Sequence, residues 1–173
     1  MALLSLLNSK LQWLILQGLC RAMRGGEWRL ELESQYVEKL PIPAWNDTAR
    51  AELAAVSEHA SKAAHERLIL QTALTRRIPD LCPPDRDPKL TTRLQEWWTL
   101  PDFAAFRAEV KKVFKADIPL AERSDWEDWI TRDRAEIARL SAEITKAEAQ
   151  IDSIVYGLFD LTPDEIALLE ASI

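Results

Sequence analysis

Ser124-Asp125-Trp126-Glu127 opens the stretch that decides the fold, 124-SDWEDWITRDRAEIARLSAEITKAEAQIDSIVYGL-158. Within it Ile130, Ile137, Ile144, Ile151 and Leu158 recur every seven residues, with Leu140, Ala147 and Ile154 at the complementary position. A seven-residue apolar repeat keeps one stripe of an α-helix facing a partner helix, so this is a coiled-coil seam. The opening four residues form a capping box, in which Ser124 and Glu127 would satisfy backbone N–H groups left free at a helix start.

A seam needs a partner, and the chain supplies one. Between Asp47 and Ile78 the residues Leu53, Val56, Ala60, Ala63, Leu70 and Leu74 follow the same spacing, interrupted by Arg67, with Asn46 or Asp47 as N-cap. Two such helices, about 47–78 and 124–158, predict a long antiparallel coiled-coil hairpin with arms roughly 45 to 50 Å long at 1.5 Å per residue. Pro79, Pro83, Pro84 and Pro88 end the first arm. Leu90–Trp98 and Phe103–Phe114 then read as shorter helices in a tip insert, 79–123. Thr162-Pro163-Asp164-Glu165, a second capping box with proline at the first helical position, opens a terminal helix over 162–172.

The first 43 residues read as a small α+β unit sitting with the terminal helix at the base of the hairpin. Leu3, Leu4, Leu7, Leu11, Leu14 and Ile15 mark an amphipathic helix. Gly25-Gly26 breaks the pattern, and Glu27–Leu32 alternates as a half-buried strand. Tyr36–Leu40 reads as a short helical turn or a second strand, followed by an extended exit at Pro41-Ile42-Pro43. The fold expected is therefore mainly α, a hairpin with a small α+β N-terminal unit at 1–43 and a helical spacer at 44–173.

Composition excludes several classes. Nearly half of the 173 residues are apolar, enough for a core, and four glycines are few for a turn-rich all-β chain. Cys20 and Cys82 form no CxxC pair, which fits a reducing cytoplasm. The apolar opening run is interrupted by Asn8, Ser9, Lys10, Gln12 and Gln17 before it could span a membrane, and it lacks the layout of a signal peptide. The net charge of −6 argues against non-specific nucleic-acid binding through a generally basic surface. The acidity is local, however: residues 124–173 hold four Lys/Arg against twelve acids, whereas residues 75–123 hold ten against eight.

Chemical motifs are sparse. Pro101-Asp102 with Glu109-Val110-Lys111 spells the PD…ExK pattern of metal-dependent nucleases. That chemistry wants ExK on a strand, but Phe103, Phe106, Val110, Val113 and Phe114 have helical spacing, so Asp102 reads as a cap and Glu109 and Lys111 as solvated charges. His59 and His65, six apart on a helix, face different sides and would not share a metal. Trp97, Trp98, Trp126 and Trp129 gather near the tip, where packing is favoured over stacking on bases. No Gly-x-Ser-x-Gly elbow, phosphate-gripping loop or dinucleotide fingerprint occurs. Arg21, Arg24 and Arg29 flank Gly25-Gly26, where backbone could approach a phosphate closely; a helix C-terminus welcoming cations explains them equally well.

Two stretches carry a resemblance. Leu7-Asn8-Ser9-Lys10-Leu11, through Gly25-Gly26-Glu27-Trp28-Arg29, to Tyr36-Val37-Glu38-Lys39-Leu40-Pro41-Ile42-Pro43 resembles the end of the C-terminal specificity domain of adenine-N6 DNA methyltransferases. These are single-chain restriction–modification enzymes and their phage-exclusion relatives. Ile151-Asp152-Ser153-Ile154-Val155-Tyr156-Gly157-Leu158-Phe159-Asp160-Leu161-Thr162-Pro163-Asp164-Glu165-Ile166 is similar to the tail of the same enzymes.

The resemblance implies a non-catalytic segment of a DNA-specificity domain, with double-stranded DNA and a methyltransferase or restriction subunit as partners and Lys10, Arg21, Arg24 and Arg29 as DNA contacts. The family's methyl transfer from S-adenosylmethionine belongs to a catalytic domain of which this sequence holds neither the Asn-Pro-Pro-Tyr motif nor the cofactor loop, so neither an enzyme nor a cofactor is expected here. Met1 falling inside what resembles the last recognition-domain helix is what a truncated or split gene product would give. The alternative is a helical scaffold or oligomerisation module without DNA contact, which the net acidity favours; a stand-alone nuclease on Asp102, Glu109 and Lys111 comes third.

Overall fold

The computed structural model describes residues 1–20 and 33–172. The expected strand Glu27–Leu32 lies outside them, as do Arg21, Arg24 and Arg29. Among the described residues the chain is mainly helical and has no strand. Helices α1 (Ala2–Leu7), α2 (Lys10–Leu19), α3 (Ser34–Val37), α4 (Asp47–Thr75), α5 (Thr92–Gln95), α6 (Phe103–Phe114), α7 (Arg123–Leu158) and α8 (Pro163–Glu170) follow in order. They belong to two compact units, one of Met1–Ser61 with Thr145–Ile173 and the other of Lys62–Ile144.

In the first unit the opening helix departs from expectation twice. It breaks at Asn8, where Ser9 caps α2 by accepting from the Gln12 backbone N–H and donates its hydroxyl to the Leu6 carbonyl at 2.7 Å. The buried stripe is Ala2, Ser5, Leu6, Ser9, Gln12 and Leu16, while Leu3 and Leu4 are half exposed. Polar residues at inward positions are partnered only in part: Gln12 donates its amide N–H to the Pro41 carbonyl at 2.7 Å, while its Oε1 is buried with no partner among the described residues. Tyr36 falls in α3, which makes this segment a helical turn rather than a strand. The core gathers Ala2, Leu6, Leu53 and Val155, with Trp45, Ile151 and Phe159 packed against them.

The second unit has a larger core, built on Leu74, Ile78, Leu94, Trp97, Phe106, Phe114, Trp126, Ile130 and Ile137. Ala63 packs with Leu140 and Ile144, and Arg67, the intruder in the heptad, donates to the Ser141 hydroxyl at 3.2 Å. Phe106 stacks on Trp126 with centroids 5.8 Å apart, Trp97 meets Trp98 edge-on at 5.9 Å, and Trp97 is fully buried, so packing explains these aromatics. Part-buried Trp129 carries the Arg77 guanidinium 5.2 Å from its ring centroid.

Element ends differ from the sequence reading for local reasons. Asn46 is the cap of α4, accepting from the Ala49 N–H at 2.7 Å. That helix stops at Thr75 rather than Ile78, because Pro79 follows in a 3-10 turn, Ile78–Leu81. The expected helix Leu90–Trp98 is shorter: Thr91 caps α5, which gives way to a 3-10 turn at Trp97–Thr99. Ser124 is not a cap, since α7 begins at Arg123 behind the turn Leu120–Glu122. Arg123 steadies that start, donating to the Ile118 carbonyl at 3.0 Å and pairing with Asp117 at 3.2 Å.

Asp117 also takes two hydrogen bonds from the Arg107 guanidinium, both 2.6 Å, and these hold its carboxyl at about 2, below the usual carboxylate range. A depressed folded-state pKa contributes stability that is complete above the unfolded-state value of about 4 and is lost as pH falls through the folded value. Urea midpoints should therefore be lower for Asp117→Asn than for wild type at pH 5, with the gap closing towards pH 2. A gap independent of pH would exclude this origin.

Candidate functional site

Ser9 ends one helix and starts the next, so the N-terminus of α2 turns its unpaired N–H groups outward. Asp152, on α7, meets them: its Oδ1 accepts the Lys10 backbone N–H at 2.9 Å. The Lys10 ammonium lies 3.7 Å from the other carboxylate oxygen and 2.6 Å from Glu170 on α8. Tyr156, one turn along α7 from Asp152, donates its hydroxyl to Glu170 at 2.8 Å. Four side chains thus join α2, α7 and α8 inside the first unit. They line an open groove of about 460 Å³, completed by Ser153, Gly157, Leu161 and Ile166.

The electrostatics divide by depth. Asp152 is buried, and loss of solvent pushes its carboxyl up despite the pull of Lys10. Glu170 is exposed, and hydrogen bonds from Lys10 and Tyr156 bring its carboxyl down. Burial, reinforced by Glu170, raises the Tyr156 phenol well above its ordinary range, so it serves as a donor at neutral pH. The chemistry of the cluster is that of a clasp: a helix cap, an ion pair and a phenol bond, each occupied by another. Asp152→Ala should cost about 1–2 kcal/mol through the lost cap, lowering the melting temperature by roughly 2–4 °C per kcal/mol. Asp152→Asn, whose amide oxygen still accepts, should lose less. An unchanged melting temperature in the alanine variant would mean the clasp holds nothing.

Of the residues expected to touch DNA, Lys10 is engaged here between two carboxylates, so a phosphate would have to displace Glu170 to reach it. Asp102 caps α6 by accepting the Ala105 N–H at 2.7 Å, as expected. Glu109 requires correction: it is 5% exposed, not solvated. It accepts from the Thr91 hydroxyl at 3.3 Å and faces Arg93 at 3.7 Å and Lys112 at 3.5 Å. Helical spacing sends Glu109 inward and leaves Lys111 in solvent, so the nuclease constellation does not assemble. His59 and His65 are both exposed on α4. Among the described residues no group of three His, Cys, Asp or Glu side chains could hold a metal ion, and no helix is long and apolar enough to cross a membrane.

Sequence reasoning missed Asp152, Tyr156 and Glu170 as a cluster. Asp152 and Tyr156 stand only within the stretch that resembles the methyltransferase tail, Glu170 carries no motif, and nothing in spacing alone brings residue 10 to residue 152. No curated protein and no solved structure matches this chain. One sequence family does, over residues 46–155, from the start of α4 to near the end of α7. That stretch is more than half of the protein, which accordingly belongs to the family described as the domain of unknown function DUF8810.

Proposed function

We propose that this chain is a non-catalytic segment of a cytoplasmic DNA sequence-specificity domain that supports an adenine-N6 DNA methyltransferase of the restriction–modification type. The observation that carries this reading is where the resembling stretches meet. Lys10 of the first is hydrogen-bonded to Asp152 of the second and, through Glu170, to Tyr156, while next to it in sequence Ser9 is joined through Gln12 to Pro41 of the Leu-Pro-Ile-Pro end. Residues far apart in sequence therefore have a shared structural reason to occur together. In this reading Lys10 positions α2, and DNA contact falls to Arg21, Arg24 and Arg29.

The two long helices act as a spacer, α4 and α7 forming one antiparallel coiled-coil hairpin. Its support is the packing within each unit taken by itself: in the first Leu53 shares a core with Val155, and in the second Ala63 packs with Ile144 and Leu74 shares a core with Ile130, so that there positions rise on one helix as they fall on the other. Fluorescence-anisotropy titration of the chain with short duplex DNA, at low and physiological salt, tests the role, because phosphate contacts give salt-dependent affinity. Salt-sensitive binding that weakens in the Arg21→Ala/Arg24→Ala/Arg29→Ala variant is the expected result, and absence of binding at low salt would overturn it.

A second reading, a helical scaffold that binds a protein partner without DNA, draws on Leu68 and Ile69, which are 55% and 51% exposed on α4. It requires concentration-dependent assembly, read by light scattering, that Leu68→Glu/Ile69→Glu abolishes.

A further inference from the structure

The second unit holds a cationic face that Arg21, Arg24 and Arg29 do not account for. Residues 89–117 carry six Lys/Arg against four Asp/Glu in a chain whose net charge is −6, and of the six Arg107 is paired with Asp117. Of the four acids, Glu109 is the carboxylate within α6, and it is buried. The exposed positions of α6 and its C-cap are Ala104, Ala108, Lys111, Lys112 and Lys115. Solvent therefore meets a ridge of alanines and lysines with no acid of α6 among them.

Glu109 also organises cations. Arg93 of α5 and Lys112 of α6 approach the same oxygen, Oε2, at 3.7 and 3.5 Å, while their side chains stay 63% and 67% exposed. One buried carboxylate thus gathers two positive charges at the surface, with one charge left in excess. Lysines in the last turn of a helix are ordinarily explained by the macrodipole. Here Arg93 comes from a different helix, and Lys112 turns to Glu109. Holding the two cations together in advance reduces the side-chain ordering that binding an anion would otherwise require.

We infer that the α5–α6 face is a second nucleic-acid contact, in which Arg93 and Lys112 take backbone phosphate of a DNA duplex, Lys111 and Lys115 flank it, and Ala104 and Ala108 allow the backbone to approach closely. The inference rests on the DNA-side reading above and extends it to the second unit. The contact is to phosphate and carries no sequence information, so it adds affinity and register to whatever Arg21, Arg24 and Arg29 read.

The test is anisotropy titration of the full chain with a labelled duplex across a salt series. Arg93→Ala/Lys112→Ala is made together with Glu109→Gln, so that no buried charge is left unpaired. Its slope of log affinity against log salt should be shallower than wild type by about 1 to 2, since each phosphate contact contributes about 0.9. Lys62→Ala/Lys146→Ala, exposed cations elsewhere, should keep the slope closer to wild type. Ala104→Glu/Ala108→Glu touches exposed positions only, so it keeps the test open should the triple variant not fold; it should also weaken binding. A wild-type slope in both α5–α6 variants, with binding still lost on removing Arg21, Arg24 and Arg29, overturns this inference alone. Absence of wild-type binding overturns it together with the parent reading, and salt-insensitive binding would point to a protein-like contact and overturn the phosphate assignment.

Discussion

Trp97→Ala should destabilise the second unit by about 3–5 kcal/mol, the range for removing a buried aromatic, and so remove a large share of the roughly 5–15 kcal/mol that holds a domain folded. Trp97 is fully buried in the core with Leu94, Phe106 and Ile130. Its ring N–H donates to the Gln71 carbonyl at 3.2 Å, but that carbonyl also accepts the Thr75 hydroxyl at 2.7 Å. The acceptor therefore keeps a partner after the substitution, and the cost is one of packing: a cavity opens beside Trp98 and the chain around it can collapse only in part. Trp97→Phe should recover part of the loss. Trp98→Ala, at a part-exposed position, should cost less than Trp97→Ala. Urea unfolding followed by circular dichroism measures all three, and equal costs at 97 and 98 would contradict the burial on which the prediction stands.

In the first unit the corresponding substitution is Leu53→Ala, expected to cost about 2–5 kcal/mol. Leu53 is fully buried and shares its core with Leu6 of α1 and Val155 of α7, with Trp45 and Phe159 packed against them. Removing it empties the place where three helices meet, rather than shortening a side chain at an edge. Val56→Ala on the same helix is the contrast, because Val56 is only part-buried. A loss at Leu53 no larger than that at Val56 would show that this cluster does not carry the unit. The heptad reading ranks both as seam positions, so the difference between them comes from the packing alone.

That contrast indicates what could be read early. Elements with strong local chemistry were legible. Asp102 before Phe103 and Thr162 before Pro163 mark helix starts that are satisfied by their own side chains, and the seven-residue repeat marks α7 along most of its length. Cap and repeat act within a few residues of sequence, so spacing alone reveals them. The break at Asn8-Ser9 and the inward turn of Gln12 were not legible. A run of leucines overrides them in any hydrophobic pattern, whereas the structure pairs the Ser9 hydroxyl with the Leu6 carbonyl and the Gln12 amide N–H with the Pro41 carbonyl.

The mainly helical class, α6 and the terminal helix were determined by the sequence by itself, because apolar period and capping residues act locally. Tertiary structure alone decided which polar residues are structural. Glu109 looks like surface charge until α5 covers it, and Asp152 looks like one acid among many on an acidic helix until the N-terminus of α2 arrives to use it. The physical reason is that burial and pairing of a charge depend on groups brought from elsewhere in the chain, and the desolvation they impose leaves no trace in the local pattern.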